Sequence, residues 1–195
     1  MRVIAGELRG QHLVAPRGWK VRPTSDRVRE AVFSTLGERV VGAAVLDLYC
    51  GTGALAIEAL SRGAANAVLV DRDTRPALGN VEHLGLGERA ELVRSDVGRW
   101  LTATTAFPHP GKSLGEDSLP PSIPRFDLIF VDAPYRLAGR VAEDLNIHLP
   151  SLLAADGRVV VESGARGPLR LDSLESLRQR RYGAADVAVY ARVGE

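Results

Sequence analysis

AVLDLYCGTGALAIEAL, residues 44–60, is the stretch whose reading decides the fold. Ala44 to Leu48 is apolar except for Asp47 and fits a buried strand. Gly51-Thr52-Gly53 turns the chain, and an apolar helix follows over Ala54–Arg62 until Gly63 stops it. Strand, glycine turn and helix in that order form the first part of a βαβ unit. Gly51 to Ala56 also fits the spacing G-x-G-x-x-G/A, whose glycines let backbone approach a nucleotide.

Downstream the alternation repeats. Ala67–Val70 reads as a second strand ending in Asp71, with a helix from Arg75 to about Leu84. Glu91–Val93 is a third short strand, ending at Ser95-Asp96. Phe126–Val131 is a fourth, with a helix from about Gly139 to Leu145, and Arg158–Val161 is a fifth. Arg178–Tyr182, a turn at Gly183, and the alternating Val187, Val189 and Ala191 read as a closing hairpin. Near-continuous apolar strands between helices predict an α/β fold, a mostly parallel sheet covered on both faces, with an antiparallel hairpin at its end. Residues 103–125, rich in Pro, Gly and Ser, read as a flexible surface insertion. Upstream, residues 1–22 read as short strands with turns at Gly6, Gly10 and Pro16-Arg17-Gly18. From Pro23 a helix begins, capped by Thr24 or Ser25, with Val28, Ala31, Val32 and Leu36 at helical spacing.

Ligands in such sheets bind past the carboxyl ends of the strands. Four strand ends here carry an acid: Asp47, Asp71, Asp96 and Asp132. Core packing gives no reason for such a set. Asp71 follows Gly53 by 18 positions, near the offset of a carboxylate that binds ribose hydroxyls. The loop therefore suits a nicotinamide dinucleotide or S-adenosylmethionine. Asp47 favours the second, because a carboxylate beside the loop repels a pyrophosphate and attracts sulfonium and ammonium groups.

The fourth strand runs into Asp132-Ala133-Pro134-Tyr135. This resembles the Asp/Asn-Pro-Pro-Tyr/Phe motif of methyltransferases that modify exocyclic amines of bases. Such an amine is a weak nucleophile, its lone pair being delocalised into the ring. A carboxylate and a backbone carbonyl that accept its N–H bonds localise the lone pair and stabilise the charge that develops on nitrogen. Tyr135 can stack on the base, which must leave its own stack to reach the site. Ala133 stands where the motif has proline; alanine still supplies the carbonyl.

Composition and charge bound the setting. The 195 residues fit one ordinary domain, and 45% hydrophobic with 25% charged residues describes a globular protein. The single cysteine, Cys50, forms no internal disulfide and suits a reducing compartment; no apolar run suggests a membrane span or signal peptide, so the cytoplasm is expected. His12, His83, His109 and His148 show no metal-ligand spacing, and no metal is expected. Net charge is +1, yet residues 1–30 carry seven basic side chains against Glu7, Asp26 and Glu30. That asymmetry suits either a phosphate-rich partner or a solvated face.

Arg22-Pro-Thr-Ser-Asp-Arg-Val-Arg-Glu30, Leu46-Asp-Leu-Tyr-Cys-Gly-Thr-Gly-Ala-Leu55, Glu58-Ala-Leu-Ser-Arg-Gly-Ala64 and Asp132-Ala-Pro-Tyr135 together resemble the RsmD-type small-subunit rRNA guanine-N2 methyltransferases. Arg2-Val-Ile-Ala-Gly-Glu-Leu-Arg-Gly10 is similar to that family's N-terminal hairpin. Tyr49-Cys50 and Ala133 depart from the family pattern. The resemblance covers nearly the whole chain outside 103–125. It implies a Rossmann-like class I methyltransferase with a seven-stranded sheet over residues 23–195, preceded by a basic β-hairpin extension over 1–22 that contacts RNA. It implies S-adenosylmethionine as donor, 16S rRNA in an assembling or assembled small subunit as partner, and a monomer. Asp132 and Tyr135 would be catalytic, with Ala133 and Pro134 shaping their loop. Asp47, Tyr49, Gly51, Gly53, Asp71 and Asp96 would hold the cofactor, Asp96 toward the adenine, with Thr24 and Arg27 closing over it or the target base. Arg2, Arg9 and Arg22 would contact phosphates. A DNA adenine-N6 or cytosine-N4 methyltransferase, a nicotinamide-dependent oxidoreductase and a catalytically inactive RNA-binding module are the other readings.

Overall fold

The computed structural model describes residues 1–15, 26–106, 124–133, 138–164 and 169–194. Helix α1 spans Asp26–Leu36 and runs into a short 3-10 turn, Gly37–Val40. Then follow β1 (Ala44–Leu48), α2 (Ala54–Ser61), β2 (Asn66–Asp71), α3 (Arg75–His83) and β3 (Ala90–Arg94). The second half holds α4 (Val97–Thr105), β4 (Phe126–Asp132), α5 (Ala138–Leu152), β5 (Leu153–Gly164), β6 (Glu175–Tyr182) and β7 (Ala185–Ala191). The strands form one sheet in the order β3-β2-β1-β4-β5-β7-β6. β1 to β5 are parallel, and β7 is antiparallel to both of its neighbours. The chain winds outward from β1 in one direction and from β4 in the other, so the β1–β4 boundary is the switch point where a ligand crevice opens.

Period-two alternation divides the sheet residues between two apolar layers. Val45, Leu69, Phe130, Val160 and Val187 pack with α1, α2 and α3 on one face. Leu46, Leu48, Ile129, Val131 and Val161 pack with α4 and α5 on the other. Asp47, Asp71 and Asp132 each follow a residue of the first layer by two positions, so all three lie on the α1–α2 face.

α2 is buried at every position, polar Glu58 and Ser61 included, because the N-terminal segment lies over it. Glu58 accepts hydrogen bonds from the backbone N–H groups of Ile4 and Ala5 at 2.8 and 3.0 Å, and from Arg62 Nε at 2.7 Å. Ser61 Oγ accepts from Leu8 N–H and donates to the Ala5 carbonyl. Gly6 makes this approach possible: a Cβ there would sit 1.8 Å from the Ser61 carbonyl oxygen. Among the described residues the expected N-terminal strands reduce to one antiparallel bridge, Arg2 with His12, with further hairpin bonds such as Val3 N–H to the Gln11 carbonyl. Four of the segment's backbone N–H groups, those of Ile4, Ala5, Leu8 and Val14, are satisfied by α2 and α3 side chains instead of a ladder.

α4 corrects the reading of 103–125 as insertion throughout, since helix continues to Thr105. Asp96 starts it: its Oδ1 accepts from Arg99 N–H at 3.0 Å, an N-cap, and Val97 and Leu101 then bury one face.

Candidate active site at the strand ends

The chain leaves β1 through Tyr49, which sits at φ 64°, the one positive-φ non-glycine among the described residues. An L-residue there costs about 1–2 kcal/mol. The turn is held because Tyr49 N–H donates to the Val70 carbonyl at 2.9 Å. Gly51 and Gly53 follow at φ 54° and 75°. A Cβ on Gly53 would lie 3.0 Å from Leu69 Cδ2 and 3.3 Å from Ala77 Cβ, so the loop is packed down against β2 and α3. Asp71 fixes it from the neighbouring strand, accepting Gly51 N–H at 3.0 Å on one oxygen and Asp73 N–H at 3.1 Å on the other. Asp71 thus sits against the loop and holds its shape.

Asp47 is 1% exposed. Its Oδ2 accepts Ala56 N–H at 3.1 Å and caps α2 from the side, since Gly53 at the helix start makes no side-chain cap. Its Oδ1 has no hydrogen-bond partner. Burial pushes the Asp47 carboxyl up to about 8, against the lowering effect of the Ala56 bond; Asp132 and Asp71 nearby push the same way. A buried acceptor short of a proton donor, in a field of further acids, fits a cationic, phosphate-free ligand and disfavours a pyrophosphate. S-adenosylmethionine meets that requirement at its sulfonium and ammonium groups.

The Tyr49 ring is half-buried, and its phenol is pushed up to about 12 by burial and by Asp96 and Asp144. It remains a hydrogen-bond donor beside those acids. Asp96 does two jobs here: it caps α4 and pairs with Arg72 through Oδ2. The Arg99 N–H and the Arg72 guanidinium hold its carboxyl below the usual carboxylate range. Burial drives the Cys50 thiol far up, with Asp47 and Asp71 adding to the shift, so this residue is no nucleophile.

Asp132 ends β4, and Ala133 beyond it is buried. Pro134 and Tyr135 lie outside the described residues, as do Thr24 and Arg22. Arg27 lies exposed on α1; Arg2 is exposed with its Nε 3.8 Å from Asp26, and Arg9 is exposed at the hairpin turn.

Two residues of this neighbourhood escaped the sequence reading. Glu162 on β5 pairs in register with Asp132, which puts both side chains on the α1–α2 face. Its signal was present: it follows Val161 as Asp132 follows Val131. Arg29 is a fully buried guanidinium in α1 that donates to Asp26 at 3.0 Å and to the Arg2 carbonyl. Burial lowers its affinity for its proton, and Asp26, Glu58 and Glu162 oppose that shift. It ties α1 to the hairpin and sets a positive charge among the acids. Only a buried helix position could have revealed it.

Residues 1–110 match the family model described as conserved hypothetical protein 95. The YlbH protein of Bacillus subtilis (strain 168) is 34% identical over 199 residues, covering 100% of each chain. Ribosomal RNA small subunit methyltransferase D of Escherichia coli (strain K12) is 35% identical over 167 residues, 84% of this chain and 74% of its own. The solved structure of yhhF from Escherichia coli superposes with a TM-score of 0.76 at 29% identity, covering 100% of this chain and 99% of its own.

Proposed function

The chain belongs to the RsmD-type family, whose model is described as conserved hypothetical protein 95, and from that premise we propose that it methylates ribosomal RNA. The donor is S-adenosylmethionine, and the acceptor is the exocyclic N2 amine of one guanine in 16S rRNA of the small subunit. The observation that carries this reading is the set Asp47, Asp71 and Asp132, three acids on one sheet face around a glycine turn, one with a buried oxygen that lacks a donor. When bound, the cofactor supplies an electrophilic methyl group on a cationic sulfur.

The chain's own residues bind, orient and desolvate. Asp47, Tyr49, Gly51, Gly53, Asp71 and Asp96 would hold the cofactor, with Thr24 and Arg27 closing over the pocket. The Asp132 carboxylate and the Ala133 carbonyl accept the two N–H bonds of the guanine amine, drawing its lone pair out of the ring. The same acceptors offset the positive charge that grows on nitrogen. Pro134 fixes the loop and Tyr135 stacks on the base, which leaves the RNA stack to enter. Proline is dispensable at position 133 because its contribution is a carbonyl. Arg2, Arg9 and Arg22 of the N-terminal extension, residues 1–22, hold phosphates beside the catalytic domain, residues 23–195. The enzyme acts as a monomer in the cytoplasm on the small subunit or its precursor.

The test is transfer of labelled methyl from S-adenosylmethionine to three acceptors: small subunits lacking the modification, a 16S rRNA transcript, and duplex DNA. Label in rRNA supports the reading. Label in DNA alone, or none despite cofactor binding, refutes it.

A further inference from the structure

β6 is the edge strand of the sheet and carries Arg178, Arg180 and Arg181 within five residues of its end. Its register splits them between faces. Arg178, Arg180 and Tyr182 pair with Val189, Val187 and Ala185, which belong to the α1–α2 layer, so their side chains rise on the face that carries Asp132. There they border a groove whose opposite wall is Ala31 and Thr35 of α1 and whose floor includes Val187. Arg178 Nη1 lies 3.5 Å from Thr35 Oγ1 across it. Arg27, one helical turn before Ala31, continues the same wall outward and is exposed.

Among the described residues Arg178 and Arg180 are the only charged ones that line the groove; Glu162, beside Val187 on the same face, and Glu175, at the start of β6, lie outside that lining. At about 100° per residue, the α1 acids Asp26 and Glu30 fall on the flank away from Ala31 and Thr35. Asp26 is already bonded to Arg29 on that side. Edge strands often carry charge to block pairing with other chains, but that purpose is indifferent to sign and needs no groove. The groove also points at the reaction. Asp132, Glu162, Val187 and Arg180 are successive register partners on β4, β5, β7 and β6. Arg180 therefore lies three strand spacings from Asp132, roughly 14 Å, in the same row and on the same face. Tyr182, at the end of β6, lies beyond that row at the sheet edge where Asp132 sits, and offers a ring on which a base can stack.

From this arrangement we propose that the α1–β6 groove is a phosphate track, in which Arg178 and Arg180 grip the RNA strand that delivers its base to Asp132. The inference rests on the RNA reading above and extends it to a second surface, separate from the N-terminal hairpin.

The double variant Arg178→Ala/Arg180→Ala tests it, with binding of a 16S rRNA transcript measured from 50 to 200 mM salt. Two lost contacts to single-stranded RNA lower the slope of log affinity against log salt by about 1.4, a response about sevenfold flatter over that range. KM for rRNA rises, while kcat at saturating rRNA and cofactor affinity stay as in the wild type. Arg178→Lys/Arg180→Lys restores the slope, since the charge is kept. An unchanged slope in the alanine variant, with wild-type methylation intact, overturns the track and leaves the RNA reading standing. A loss seen with assembled subunits but not with naked transcript assigns the groove to a ribosomal protein and equally overturns it. A wild type that neither binds nor methylates rRNA removes the RNA reading and the track together.

Discussion

Replacing Asp47 by asparagine separates a capping role from a ligand-binding one. With the carboxyl pushed up to about 8, Asp47 is roughly 90% protonated at pH 7 in the unliganded protein. A cation placed against Oδ1 requires the carboxylate, so binding expels that proton. Ionising the group at pH 7 costs about 1.4 kcal/mol and at pH 6 about 2.7 kcal/mol. The affinity for S-adenosylmethionine therefore rises about tenfold per pH unit between pH 5.5 and 7 and levels off above 8. Calorimetry at pH 7 in two buffers of different ionisation enthalpy should report about 0.9 proton released per cofactor bound. Asp47→Asn keeps an oxygen for Ala56 N–H and abolishes both the pH slope and the proton release. Stability supplies a second reading. The folded state holds the Asp47 proton between pH 4 and 8 and the unfolded chain does not, so this residue makes stability fall as pH rises through that window. The asparagine variant should show a shallower fall in Tm. Wild-type binding without proton release, or equal release from the variant, refutes the assignment of Asp47 to the cofactor.

Three further substitutions probe other parts of the account. Asp132→Ala should abolish methyl transfer while cofactor affinity, measured by calorimetry, stays within about twofold; retained transfer would remove Asp132 from the mechanism. Gly53→Ala forces a Cβ into a φ of 75° against Leu69 and Ala77 and should cost about 1–2 kcal/mol of stability, with weaker cofactor binding; an unchanged Tm and affinity would show that the loop has slack. Glu58→Ala strips acceptors from Ile4, Ala5 and Arg62, an expected loss of about 3 kcal/mol, or about 6–12 °C in Tm, with faster proteolysis near the N-terminus; a stable, protease-resistant variant would mean the hairpin is held by Val3 and Leu13 alone.

Elements buried on a continuous apolar side were legible in the sequence. β2 and β4 each run four apolar residues to an acid and β1 runs three, and the sheet they form has the expected seven strands and closing hairpin. α4 was not legible, because only Val97 and Leu101 anchor it among Gly98 and three threonines. Its cap, Asp96, was read as a ligand residue without being seen to start a helix. The N-terminal segment was overread as strands because its hydrogen-bond partners, Glu58, Ser61 and Asn80, lie more than 50 residues away and leave no local pattern. At the site, the acids could be located by strand end, but which acid was bonded could not. Asp71 proved to have both oxygens bonded, one to the Gly51 N–H of the loop and one to Asp73 N–H, while Asp47 kept one oxygen without a donor. Glu162 carried the same strand-end signal as Asp132, whereas Arg29 shows its place among the acids only in the packing of α1.

Methylation of a guanine amine in ribosomal RNA by this site is tested most directly by digesting rRNA labelled by the purified protein and identifying the methylated nucleoside by mass spectrometry. Label is expected in N2-methylguanosine, at one site, and none when Asp132→Ala is used. Label in a methylated adenosine or cytidine, or in a methylated ribose, would contradict it.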